Sequence, residues 1–297
     1  MKLLTIFALL LVWSAPFSAA ADISEAEPQP PVAGAQDKAT NAFALDFPAV
    51  GMIAQPGNYV LTPTKAWLDK AVSAGFDKEP VVFHHATMVA PGSAESKVRS
   101  TSGEFPLPNA LIIPIPIGGK AHAGDILLTW WQSGSGMQRA IVSEGGTEQE
   151  PQVYYLDIPN TAVSDANKIP ETLRADSFKV LEEAWAPGSA IAVRDKEKGW
   201  IYARIITATE DRALVIGWGG RLKAVDRNEC VALSIYPPPM GANGPIYIPH
   251  EGIMKQGRFR QPDPAKGRIS ASLDIAGKEA QIQVPFGDII LSLPGMP

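Results

Sequence analysis

The strongest constraint on what this chain can fold into is a repeat inside it. Gly124-Asp125-Ile126-Leu127-Leu128-Thr129 lines up with Gly188-Ser189-Ala190-Ile191-Ala192-Val193, an offset of 64. Arg139-Ala140-Ile141-Val142 lines up with Tyr202-Ala203-Arg204-Ile205 at an offset of 63, and residues 176–181 with 228–233 at 52. Similarity at a sustained offset marks duplicated structural units. The shrinking offset places a longer loop, within residues 158–174, in the first copy. In the second copy strands are predicted at 189–195, 200–207, 211–217, 221–225 and 229–233. A charged loop, an acidic turn at Glu210-Asp211 and the hairpin signal Gly219-Gly220, which tolerates positive φ at both positions, separate them. Five short hairpin-linked strands in so short a span predict a small closed or nearly closed barrel. The 27 prolines and 26 glycines, spread along the chain, agree with many short strands and turns, hence a mainly β fold.

Trp200-Ile201-Tyr202-Ala203-Arg204-Ile205, then a polar turn, then Ala213-Leu214-Val215-Ile216-Gly217-Trp218-Gly219-Gly220 with Val225 and Leu233, resembles the Tudor/agenet group of SH3-like barrels. The resemblance covers residues 124–235 as two tandem copies. It departs from the family where Trp218-Gly219-Gly220 replaces the usual acidic-aromatic-glycine turn, and the first copy matches less well. The resemblance implies aromatic side chains at strand ends that hold a cation over their ring faces. By position these are Trp200, Tyr202 and Trp218 in the second copy and Trp130, Trp131, Tyr154 and Tyr155 in the first. The competing reading is that small barrels fill their interiors with aromatics, and strand parity alone turns about half of them inward.

Around these copies the chain divides by composition. Lys2, the apolar run to Trp13, Pro16 and the small residues 18–21 read as a signal peptide over residues 1–21, too short to span a bilayer. Residues 22–42, with Pro28, Pro30, Pro31 and several acids, read as a disordered linker. An N-terminal α+β segment follows over 43–120. Its helix is predicted from Thr64 to Ala74, with Thr62 as cap, Pro63 in the first turn, Gly75 as stop, and Trp67, Leu68, Ala71 and Val72 facing inward. Short strands at 81–83 and 87–89 follow it, and the apolar, proline-interrupted run 111–117 suits an edge strand. The barrels occupy 121–183 and 184–236. A C-terminal β-rich segment over 237–297 carries a strand with Ile269, Ala271, Leu273 and Ile275 on one face and a hairpin turn at Ala276-Gly277. Gly287-Asp288-Ile289-Ile290 echoes Gly124-Asp125-Ile126-Leu127 and suggests the start of a third copy.

Chemistry is sparse. Cys230 stands alone, so no intramolecular disulfide forms; aligned with Phe178, it reads as a small buried hydrophobe. Of the four histidines, His84 and His85 are adjacent on a predicted strand and point to opposite faces, so no metal site is expected. Ser133-Gly134-Ser135-Gly136 lacks the frame of a nucleophile elbow. A net charge of −5 without a basic cluster argues against nucleic acid. The leading expectation is therefore a secreted or periplasmic, non-enzymatic binding or adaptor protein without cofactor, whose tandem SH3-like barrels hold a peptide, glycan or envelope component. Two alternatives stand beside it: an envelope-acting hydrolase with barrels as accessory modules, drawing on Asp69, Glu79, His84 and His85, and a structural subunit of an envelope assembly.

Overall fold

The computed structural model describes residues 45–158 and 169–296. The leader and the linker lie outside the described residues, as does most of the loop expected at 158–174. The described chain is mainly β, with one α-helix, and its sheets are antiparallel.

Four successive meanders share one plan. The first holds β1 (Tyr59–Thr62), α1 (Lys65–Ala74), β2 (His84–Ala90), β3 (Glu95–Ser100), β4 (Gly103–Pro108) and β5 (Ile113–Pro114), in the spatial order β4-β3-β2-β1-β5. The second holds β6 (Ile126–Trp130), β7 (Met137–Gly146), β8 (Pro151–Tyr155), β9 (Glu171–Thr172) and β10 (Lys179–Val180), in the order β10-β6-β7-β8-β9. In the third, β11 (Ala190–Asp195), β12 (Gly199–Ala208), β13 (Arg212–Gly217), β14 (Leu222–Asp226) and β15 (Cys230–Ala232) run β15-β11-β12-β13-β14. The fourth has β16 (Pro245–His250), β17 (Ile253–Asp263), β18 (Arg268–Ile275) and β19 (Lys278–Pro285), and a bridge from Tyr247 to Ile290 stands where a fifth strand would pair with the first.

The shared plan extends to the backbone. Each second strand shifts register against the third, at Met88/Ala90, Val142/Gly146, Ile205/Thr207 and Phe259/Gln261. Such bulges bend a strand and sharpen its twist, so one ribbon curls over its own core. A residue at positive φ just before the first strand donates its N–H to the carbonyl at that bulge: Gly57 to Met88, Gly124 to Val142, Gly188 to Ile205 and Asn243 to Phe259, at 2.8–3.0 Å. The next residue's carbonyl accepts the N–H of the same bulge residue in every case. Glycine and asparagine tolerate this conformation best. The aligned pairs Gly124/Gly188 and Val142/Ile205 are therefore structurally equivalent. Leu181 and Leu233, also aligned, donate to Ile126 and Ala190 at the starts of their meanders.

Several expectations are corrected. No sheet closes into a barrel. Along β12 the residues from Ala203 onward pair with β13, whereas Ile201 pairs with Ile253 of β17, so the third and fourth meanders merge into one nine-stranded sheet. The segment 43–120 is a meander with a helix inserted between its first two strands. Thr64, not Thr62, caps α1 by accepting from Trp67 N–H at 3.2 Å, and Val72 lies on the exposed side of the helix. The two strands expected at 81–83 and 87–89 are replaced by the single β2. In the run 111–117 only Ile113–Pro114 forms a strand, at a sheet edge as expected. Gly287-Asp288 belongs to the turn after β19 and does not begin a copy.

A buried ion network fastens the second, third and fourth meanders together. Arg139 of β7, 2 % exposed, meets Asp157 at 2.8 Å and Asp288 at 2.9 Å. Arg204 of β12 meets Asp157 at 2.6 Å, and Tyr202 O–H donates to Asp288 at 2.7 Å while accepting from Arg204 Nε at 3.0 Å. Burial pushes the Asp157 carboxyl up, but the Arg139 and Arg204 guanidinium charges outweigh it and hold the group down at about 2. Two cations facing two carboxylates with their hydrogen bonds made is the arrangement in which buried charge is tolerated.

Candidate functional site

The β13–β14 hairpin carries the site. Gly217 N–H donates to Arg221 C=O at 2.9 Å, closing a three-residue loop of Trp218, Gly219 and Gly220. Gly219 and Gly220 adopt φ +81° and +78°, the positive pair that the sequence predicts, though the loop is one residue longer than a two-residue turn. Trp218 leads this loop and stays 68 % exposed. Beneath it lies the β16–β17 turn, where Gly252 has φ +79° and a Cβ would come within 2.4 Å of Trp218 Cβ. Tyr202 N–H donates to Gly252 C=O at 2.9 Å, pinning the turn there.

Trp218 stands at the rim of a groove of about 430 Å³. The floor is apolar, formed by Val193, Ile201, Val215 and Val225, which belong to the core of the third meander or pack against it. The groove is the mouth of that meander, open because no strand closes it. Six charged residues stand around the mouth: Asp77, Asp195, Glu251, Lys198, Arg221 and Lys223. Asp77 is paired with Lys78, and the Asp195 carboxylate caps the N–H groups of Glu197 and Lys198. Those N–H groups hold Asp195 below the usual carboxylate range. Among the described residues, no carboxylate forms an ion pair with Lys198, Arg221 or Lys223.

Of the seven aromatics picked out by the sequence, Trp218 and Tyr202 line this groove, and Tyr202 turns its hydroxyl into the ion network. Trp200 is buried with its indole N–H donating to Pro294 C=O at 3.2 Å. Trp130 is buried, with the His85 ring stacked on it at 5.0 Å and Tyr59 tilted against it at 5.3 Å. Tyr155 is buried and its hydroxyl accepts from Gln132 N–H. Trp131 is half-buried, donating to Ser133 at 2.8 Å, and Tyr154 is half-buried against the main core. The first-copy aromatics therefore fill space between and within meanders instead of lining one groove.

The acid–base candidates do not converge. Asp69 pairs with Lys65 on the surface of α1 at 2.7 Å. Burial holds both His84 and His85 below the usual imidazole range, with His85 adding to the effect at His84 and Arg174 at His85. Cys230 is half-buried, its thiol pushed up to about 11 by burial and then by Glu229 and Asp226. Among the described residues no group of three or more His, Cys, Asp or Glu side chains is placed to hold a metal ion, and no helix is long and apolar enough to cross a membrane. The ion network was missed by sequence reading because its members lie far apart in the chain. The one available signal was the alignment of Arg139 with Tyr202, which places both at one position of the shared plan.

No protein-family model matches this chain, and comparison with curated proteins finds no match.

Proposed function

We propose that the meanders are open SH3-like units and that this is an exported binding or adaptor protein, not an enzyme, whose ligand sits in the mouth of the third meander. The strand order, with the fifth strand beside the first, and the bulged second strand support the SH3-like reading. The observation that carries the functional reading is Trp218, a large apolar ring left 68 % exposed at the rim of a groove with an apolar floor. Exposed aromatic anchors beside preformed apolar clefts, with a few polar groups at the rim, are the usual form of a binding site. The scaffold beneath supports this reading: Trp218 packs on Gly252, and Tyr202 donates its hydroxyl to Asp288 of the ion network. The leader-like residues 1–21 support export, and a peptide, glycan or other envelope component is the ligand class.

Intrinsic tryptophan fluorescence, titrated with short peptides and with soluble wall glycan fragments, tests this reading. At least one probe class should bind saturably, and Trp218→Ala should weaken it by about tenfold or more with the thermal midpoint unchanged. Probe turnover, or binding indifferent to Trp218→Ala, would refute it.

A further inference from the structure

We infer that the ligand is an extended peptide, alternating apolar and acidic residues, that adds as a strand to the open edge of β14; this rests on the reading of the Trp218 groove as a binding site. β14 ends the nine-stranded sheet and pairs only with β13. The parity of that ladder is fixed at both ends. Gly217 N–H bonds Arg221 C=O and Arg227 N–H bonds Asp211 C=O, so odd-numbered residues exchange the close hydrogen bonds. The N–H and C=O of Leu222 and Ala224 therefore turn away from β13, and no described residue supplies them with a hydrogen-bond partner. The carbonyl of Asp226, next in that series, accepts from Cys230 Sγ at 3.3 Å and marks the far end of the free edge.

Two grooves flank this edge, one on each face of the strand. The mouth of the third meander lies on the Lys223 and Val225 side. On the other side a groove of about 380 Å³ runs between β14 and α1, lined by Leu222, Ala224, Val72 and Phe76. Val72, an apolar side chain, is 54 % exposed there. Successive side chains of an added strand point to opposite faces. One set would enter the groove against Val72, Phe76 and Leu222; the other would face the mouth, where no described carboxylate lies within ion-pair distance of Lys198, Arg221 or Lys223. Of the acids at that rim, Asp77 is neutralised by Lys78; Asp195 and Glu251 keep their charge, which leaves the three cations an excess of one. Apolar residues on one face match the groove beside α1, acids on the other reach the cations at the rim of the mouth, above its apolar floor, and main-chain hydrogen bonds to Leu222 and Ala224 supply register.

A blocked, dye-labelled heptapeptide alternating valine and glutamate is the probe, with an analogue N-methylated at alternate amides as its control. Wild-type protein should bind the first saturably and the second at least about tenfold more weakly, a backbone effect that no side-chain contact explains. Ala224→Pro, which removes an outward N–H and no β13 bond, should weaken binding to a similar degree. Lys223→Glu, a surface change that leaves the fold intact, should do so too and guards against misfolding of the proline variant. Failure of the unmethylated peptide to bind overturns the inference. So does binding unaffected by methylation and by both substitutions. If wall glycan fragments bind in a manner lost in Trp218→Ala but kept in Ala224→Pro, the groove reading survives and strand addition falls.

Discussion

At the scale of single residues, Gly252 packs under the rim of the candidate groove and Asp157 anchors the buried ion network. Gly252 combines positive φ with a position under Trp218 where no side chain fits. Gly252→Ala should therefore cost about 1–3 kcal/mol in chemical denaturation, from backbone strain plus displacement of the indole, and should weaken ligand binding in the same step. Asp157 works through charge. Its carboxyl falls from the ordinary 3.8 to about 2 in the folded protein, so the folded state binds fewer protons than the unfolded one between those values. That contributes roughly 2 kcal/mol of stability, fully present above about pH 4 and lost as pH falls through about 2. Denaturation midpoints measured from pH 5 to pH 2 should decline accordingly, and the decline should shrink in Asp157→Asn. Some of these residues were legible in the sequence and some were not. A glycine pair such as Gly219-Gly220 announces positive φ through local sterics. Nothing local announces that Asp157 will meet Arg204 or that Arg139 will meet Asp288, because those contacts arise only when separate meanders pack.

At the scale of elements, the third meander was the most legible, each strand falling within one residue of its predicted ends. Its strands alternate cleanly and its turns are short, so period and punctuation agree. The first and fourth meanders were harder for identifiable reasons. In the first, α1 is inserted between the first two strands and breaks the period. In the fourth, Asn243 stands where the others have glycine, and the fifth strand shrinks to the bridge at Ile290. Helix α1 forms one wall of the groove beside β14. Thr64→Ala removes its cap and should cost about 1 kcal/mol, read as faster amide exchange in residues 65–68 and a slightly lower thermal midpoint. The open edge of β14 was not visible in the sequence. Leu222-Lys223-Ala224-Val225-Asp226 reads as an ordinary strand, and only the full sheet order shows that it ends a sheet.

At the scale of the molecule, four copies of one ribbon plan are joined by contacts that belong to no single copy. The second, third and fourth share the ion network, while Val81 of the first donates to Gly220 C=O of the third and Met137 of the second donates to Phe83 C=O of the first. Contacts of such range should make the meanders unfold together. Asp157→Ala, which strands two guanidinium groups, should cost about 3–5 kcal/mol and lower the midpoint while leaving one transition, as read by both fluorescence and circular dichroism. The joining also bears on the candidate site: the turn of the fourth meander pairs with β12 at Ile201, and the groove lies between that turn and the β13–β14 hairpin.

Amide hydrogen exchange resolved at Leu222 and Ala224, with and without the alternating valine–glutamate peptide, tests the account most directly. Both amides should exchange readily in the free protein and become strongly protected when the peptide is bound, with a smaller change around Trp218. Amides already protected before the peptide is added, or protection on binding that appears elsewhere and spares this edge, would contradict it.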